Sequence, residues 1–354
     1  MKHSTLKTKA IQLLKTLIAI PSFSSEEDKT ATAIEAWFKS SAVPFERNKN
    51  HVIAKNKYWD DAKPTLLLNS HHDTVQPNKG YTKDPFLPHV QEGKLYGLGS
   101  NDAGGCLVSL MATFAHFYGV KKLSHNILLV ASAEEESAGK NSLRGLLPSL
   151  PKIDVAIVGE PTLMQLAIAE KGLVVFDGVV KGTPSHAAHP NNNNAIYNCI
   201  PVLDWFSKYR FPKETDALGA VKMTVTQIQA GTQHNVVPSE VALVIDVRVN
   251  DAYTNQEIAA ILKNEAPCEL QERSLRLNAS KIAKGHALVT SGIALGRSTY
   301  GSPTLSDQAA LSCPSLKLGP GDSTRSHSAD EFIYLYEIEE GIDLYIAILQ
   351  KFLF

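Results

Sequence analysis

Apolar positions along the first part of the chain recur at two different periods. Leu6, Ala10, Leu13, Leu14, Leu17 and Ile18 keep helical spacing until Pro21 ends the pattern. Ser24 with Glu27 reads as a capping box for a second helix through Ile34, Trp37 and Phe38. Three short, mainly apolar runs come next at 65–68, 126–130 and 154–158, with helical segments between them, notably 107–118. Runs of that length without alternation predict strands buried on both faces, hence a mostly parallel sheet with helices on both sides.

The character changes near Lys171-Gly172. From there the pattern predicts strand 173–180, helix 195–209, strands 221–229 and 240–249, helix 255–264 and strand 268–277. That β-α-β-β-α-β order is ferredoxin-like. The α/β pattern returns after about Ser280 and closes with a helix over 338–353. The expected fold is thus an α/β, mostly parallel-sheet catalytic domain of phosphorylase/hydrolase-like type, carrying an inserted ferredoxin-like α+β domain. The expected segments are 1–171, 172–280 and 281–354.

Composition narrows the function. A chain of 354 residues with 44% apolar content supports two sizeable cores. Lys plus Arg total 35 against 36 for Asp plus Glu, with no basic stripe, so nucleic acid is not an expected partner. Cys106, Cys199, Cys268 and Cys313 are scattered without a CxxC pair, which fits a reducing cytoplasm. Lys7, Lys9 and Lys15 interrupt the first apolar stretch, so no secretory signal is expected. Nor does any run approach the roughly 20 residues that span a bilayer.

The informative positions lie just after each buried run. The first run leads into Ser70-His71-His72-Asp73, the second into Ala133-Glu134-Glu135-Glu136, the third into Gly159-Glu160-Pro161. Sites in open parallel sheets form beyond the carboxyl ends of the strands. Asp102 sits in a Gly-rich turn at 97–105, and His327 in the loop at 319–327. Imidazole and carboxylate without thiolate suit zinc, cobalt or manganese. Two divalent cations would be neutralised by one shared Asp, two Glu and a hydroxide. His71 and Asp73 are two apart at a strand end, so both side chains project the same way and Asp73 can fix the imidazole. The Gly-rich turn does not read as a dinucleotide loop, because Asp102 would repel a pyrophosphate. No Gly-x-Ser-x-Gly elbow is present.

The motifs Ser70-His71-His72-Asp73-Thr74-Val75, Gly99-Ser100-Asn101-Asp102-Ala103-Gly104-Gly105, Glu134-Glu135-Glu136, Gly159-Glu160-Pro161 and His327-Ser328-Ala329-Asp330-Glu331 resemble, in order, the co-catalytic zinc metallopeptidases. That family includes acetylornithine deacetylase, succinyl-diaminopimelate desuccinylase, aminoacylase and carboxypeptidase G. The resemblance implies two divalent ions, zinc first and cobalt or manganese as alternatives. It implies that Asp102 bridges them, with His71 and Glu160 on one and Glu136 and His327 on the other. Glu135 would be the general base and Asp73 the orienting carboxylate. A slip of one residue would instead make Glu134 the base and Glu135 a ligand.

Within the inserted domain, Gly182-Thr183-Pro184-Ser185-His186 resembles the family's lid histidine motif, with His186 donating to the oxyanion, often across a dimer. Asn235 and Arg248 match lid motifs and would hold the substrate. An Arg fork suits a free α-carboxylate. The expected activity is removal of an acyl group from an amino acid's nitrogen, N-acetylornithine in arginine biosynthesis being the first choice. N-acetylcitrulline, N-succinylornithine or N-succinyl-diaminopimelate are alternatives, and a dipeptidase or carboxypeptidase is the rival. A homodimer through the inserted domain is expected. His72, His189 and Cys106 read as packing or solvent-facing residues. Asp322 and Arg325 either shape the pocket or order their loop.

Overall fold

The computed structural model describes residues 3–354. The first two positions of the expected catalytic segment lie outside them. The chain divides into two compact units. The first runs to Ile168 and resumes with Lys281–Tyr300 and Ser306–Phe354; the second is Ala169–Ser280 with Gly301–Leu305.

In the first unit the sheet runs Glu46–Asn48, His51–Lys55, Asn126–Ser132, Thr65–His71, Val155–Val158, Ser315–Lys317. The last four of these strands are mutually parallel. Thr65–His71 lies between Asn126–Ser132 and Val155–Val158, and every one of its residues is buried. Alternate side chains explain this. Leu66 and Leu68 enter one core cluster with Ile127, Leu129 and Ile157, while Leu67 enters another with Leu128, Val130 and Ala156. Helices His3–Ile18, Asp28–Ser40, Gly105–Phe117, Ala287–Ile293 and Leu335–Leu353 all contribute to the first cluster. The opposite face carries the short turns Leu143–Leu146 and Leu147–Ser149 and loop side chains such as Trp59 and Ile153. The expectation of helices on both faces is therefore met unevenly. A short segment suffices there because the second cluster is small.

The second helix begins at Asp28, not at a Ser24 cap. Glu27 is buried and accepts from the backbone N–H groups of Ser25 (2.7 Å) and Glu134 (3.1 Å) and from Asn50 Nδ2 (2.7 Å). Ser24 Oγ instead donates to Asp73 Oδ2 at 2.8 Å. The predicted capping box is thus corrected. Both residues serve long-range partners that local spacing does not reveal.

The second unit is a four-stranded antiparallel sheet ordered Lys222–Ala230, Glu240–Val249, Gly172–Lys181, Glu269–Glu272. Val174, Phe176 and Val180 alternate inward with Val241, Leu243, Ile245 and Val247 under helices Ala195–Lys208 and Asn255–Glu265. Thr254 and Glu257 form a complete capping box for the second helix. The last predicted strand is shorter than 268–277, ending at Glu272 and resuming only as a bridge between Leu277 and Leu173.

Candidate metal centre

The carboxyl ends of the three central parallel strands deliver His71, the 134–136 turn and Glu160 together. Asp102 lies between two histidines. Its Oδ1 is 3.3 Å from His71 Nε2, and its Oδ2 is 3.6 Å from His327 Nε2. Glu160 Oε1 stands 3.8 Å from His71 Nε2, and Glu136 Oε2 is 3.2 Å from His327 Nε2. These separations exceed the ~2.7–2.9 Å of charge-assisted hydrogen bonds. They lie around the edge length of a ligand tetrahedron, about 3.3–3.6 Å for bonds of 2.0–2.2 Å, two within it and two just outside. The donor set fits a divalent cation: His71, Asp102 and Glu136 each offer a ligand atom, all within 4.8 Å of one another, with Glu160 and His327 beside them.

Electrostatics point the same way. Burial pushes Glu160 up to about 8, helped by the Asp102 charge and opposed by His71. His327 is pushed up to about 9, chiefly by Glu136, with Asp102 adding to it. Burial raises Glu135 well above the usual carboxylate range, with Glu160, Asp307 and Glu136 adding to the rise against His71. So much negative charge at one edge is costly without cations.

Each ligand has a local reason for its position. Gly97 has φ +146°, and a Cβ there would lie 2.2 Å from Ile18. A Cβ on Gly104 would lie 2.4 Å from the Gly99 carbonyl, so the turn carrying Asp102 closes only without side chains at these points. Buried Glu331 holds this turn from below: it accepts the N–H groups of Asn101 (2.7 Å), Asp102 (2.9 Å) and Gly99 (3.0 Å). Burial and the Asp102 charge raise Glu331 to about 8 against those donors. Asn101 ties the turn to the His327 loop through both the N–H and the carbonyl of Asp322, each at 3.0 Å.

Asp73 reaches further than expected. His71 Nδ1 makes its hydrogen bond to the Asp73 carbonyl at 2.9 Å, while the carboxylate is 3.5 Å away. That carboxylate accepts the N–H groups of Glu135 and Glu136, both at 3.1 Å, as well as Ser24 Oγ. It thus links the His71 strand end to the acidic turn. In that turn Glu134 has φ +56°, and its side chain bends back to Asn141, accepting from the backbone N–H (2.9 Å) and Nδ2 (2.8 Å).

Asp307 was not anticipated. It is buried and accepts from Asn69 Nδ2 (2.8 Å) and Ser132 Oγ (2.7 Å), from the two strands that end at His71 and Ser132. Ser132 and Asn69 are polar positions at the ends of apolar runs, and that was the available signal. His72 bridges Thr30 Oγ1 and the Asn50 carbonyl, both at 2.9 Å, and burial lowers it to about 4. It is a neutral packing residue. Arg325 binds Glu337 through two nitrogens (2.7 and 3.0 Å) and lies over the Phe332 and Tyr334 rings. Of its two readings, loop ordering matches these contacts.

The remaining residues belong to the second unit. His186 and Asn235 share a small ribbon: Ser185–His186 pairs with Val236–Val237, and Ala187 N–H donates to the Asn235 carbonyl at 2.9 Å. His186 is exposed, and its Nδ1 accepts from Ala188 N–H at 3.1 Å, so the neutral ring carries its proton on Nε2. Arg248 is paired with Asp246 of the same strand (2.9 and 3.1 Å).

Comparison with known proteins places this arrangement. The chain belongs to peptidase family M20/M25/M40, whose model matches residues 67–351. It is 27% identical over 378 residues to acetylornithine deacetylase of Shigella sonnei, covering 97% of each chain. It is 25% identical over 384 residues to succinyl-diaminopimelate desuccinylase of Wolbachia pipientis, covering 99% of this chain and 94% of the other. A dinuclear metal-binding peptidase of Bacillus subtilis superposes with a TM-score of 0.71 at 16% identity, covering 98% of this chain and 99% of that one. The protein is accordingly a hydrolase of this family. Among the described residues no helix is long and apolar enough to cross a membrane.

Proposed function

We propose that the protein hydrolyses the amide of an N-acyl amino acid, with N-acetylornithine, an intermediate of arginine biosynthesis, as the first substrate to test. The observation that carries this reading is Asp102 set between His71 and His327, with Glu160 and Glu136 completing two ligand groups. We assign the ions as zinc, with cobalt or manganese able to substitute on the same donors. Two such ions supply a water acidified to a pKa of about 7 and a polarised acyl carbonyl.

Glu135 is the proton carrier in this proposal. It takes a proton from the attacking water as the oxygen–carbon bond forms, then gives it to the amine as the carbon–nitrogen bond breaks. Its raised proton affinity suits the return step. Such general acid–base help is worth about 10²–10⁴-fold. Glu136 beside His327, and Glu134 turned to Asn141, support this register over the one shifted by a residue. His186, with its proton on Nε2, would donate to the oxyanion. Asn235 and Arg248 would hold the substrate, Arg248 by exchanging Asp246 for the substrate carboxylate.

We further propose a homodimer through the inserted domain. Lys222–Ala230 is an edge strand with Ile228 55% exposed, and Ile196, Tyr197 and Ile200 form an exposed apolar face on the neighbouring helix. Apolar edges of this kind are usually covered. All four cysteines are unpaired, in keeping with a cytoplasmic setting.

The test is amine release from N-acetylornithine, N-acetylcitrulline, N-succinylornithine, N-succinyl-diaminopimelate and dipeptides, with zinc or chelator. Chelator-sensitive release from one acylated amino acid supports the proposal and names the substrate. Cleavage of dipeptides alone would replace it with the peptidase reading, which the B. subtilis relative favours.

A further inference from the structure

A second cavity lies in the first unit, apart from the metal ligands. It is open to solvent and lined by Leu163, Met164, Leu344, Tyr336, Arg297 and Glu340. Two of its charged residues have no partner among the described residues. Arg297 Nε is buried without a hydrogen-bond acceptor, and no ion pair engages its guanidinium. A buried donor left unpaired is costly, and an Arg fork is shaped for a carboxylate. Glu340 is exposed and forms no ion pair with Arg297 although both line the same space. Leu163 is 47% exposed and Tyr336 53%, giving the rim apolar surface.

One free cation, one free anion and an apolar wall define a zwitterion with a hydrocarbon side chain. We propose that this cavity binds a free α-amino acid as an effector, its carboxylate on Arg297, its ammonium on Glu340 and its side chain against Leu163, Met164 and Leu344. The walls are tied to the metal centre. Leu163 N–H donates to the Gly321 carbonyl (2.7 Å) and Met164 N–H to the Gly319 carbonyl (2.9 Å). Gly321 begins the loop that carries His327, and Leu163 lies three residues after Glu160. Glu337, also in the wall, holds Arg325 of that loop. Occupancy therefore bears on the segments behind two metal ligands without touching either.

The experiment is calorimetry and thermal unfolding of the metal-loaded enzyme with the twenty common L-amino acids and L-ornithine. For each binder, the matching amine without carboxylate and acid without ammonium serve as controls. At least one amino acid should bind, raise the unfolding temperature and change turnover in a way that substrate does not compete away. Arg297→Ala should weaken binding tenfold or more and Glu340→Gln should weaken it as well, both with basal turnover unchanged. Arg297→Lys, which keeps the charge but not the fork, should fall between. Absence of binding at millimolar concentration overturns the proposal. So does binding that competes fully with substrate, or that survives both substitutions.

Discussion

Glu134, Glu135 and Glu136 are chemically identical neighbours, and only their surroundings separate them. Glu134 accepts two hydrogen bonds from Asn141, which hold its carboxyl below the usual range against the cost of burial. Glu136 faces His327, and Glu135 lies among the carboxylates of Glu160, Asp307 and Glu136. Glu135→Gln should lower turnover about 10²–10⁴-fold with metal content and unfolding temperature unchanged, read by steady-state rates beside metal analysis. Glu134→Gln should do the reverse. It should cost on the order of 1–2 kcal/mol of stability, since one acceptor oxygen becomes a donor facing N–H groups, and leave turnover within a few-fold. If Glu134→Gln removed turnover and Glu135→Gln removed metal, the roles would sit one residue earlier.

At the scale of the element, the turns that carry two of the proposed ligands, Glu136 and Asp102, are each held through backbone N–H groups by a buried carboxylate from elsewhere in the chain. Asp73 holds the 135–136 turn, Glu27 holds Glu134, and Glu331 holds the 99–102 turn. Removing such a support should loosen the ligand, not the fold. Asp73→Ala should weaken metal binding about 10–100-fold, the usual cost of losing a residue that orients ligands. Competition with a chelating dye reads this directly, and unchanged metal affinity would mean that Asp73 supports only local packing. The same elements show what a sequence can tell. His71, the acidic turn and Glu160 were legible because each ends or follows a strand buried on both faces, and such strands announce themselves as apolar runs. The inserted domain was legible because Gly172–Lys181 and Glu240–Val249 alternate cleanly on one covered face. The supports were not. Ser24 and Glu27 carry the spacing of a helix cap but bond to Asp73 and Glu134, 49 and 107 residues away. Asp307 pairs across 238 residues with Asn69. No local pattern encodes partners at that distance.

At the scale of the whole molecule, the proposed reading couples metal, protons and association. Without metal, Glu160 holds its proton up to about pH 8 and His327 up to about pH 9. Both values lie above those of the unfolded chain, near 4.5 and 6.5. Between the two sets of values the folded state binds more protons than the unfolded one, so stability falls as pH rises. The metal-free protein should therefore lose unfolding temperature from about pH 4.5 to 9, most steeply between about 6.5 and 8 where both groups contribute. Metal must displace the same protons, so its affinity should rise over that window and its uptake at pH 7 should release protons. Calorimetry in buffers of different ionisation enthalpy measures the release, and its absence would show that neither group holds a proton in the metal-free state. The proposed homodimer puts association in the inserted domain. Ile228→Lys places a charge on the exposed edge strand, where nothing in the core depends on it. If the edge is the dimer seam, light scattering should show a monomer with both metals bound, and turnover should collapse because His186 no longer reaches a partner's site. A monomer with full turnover would place His186 within its own chain. A persistent dimer would move the seam elsewhere, the exposed face of Ile196, Tyr197 and Ile200 being the next surface to substitute.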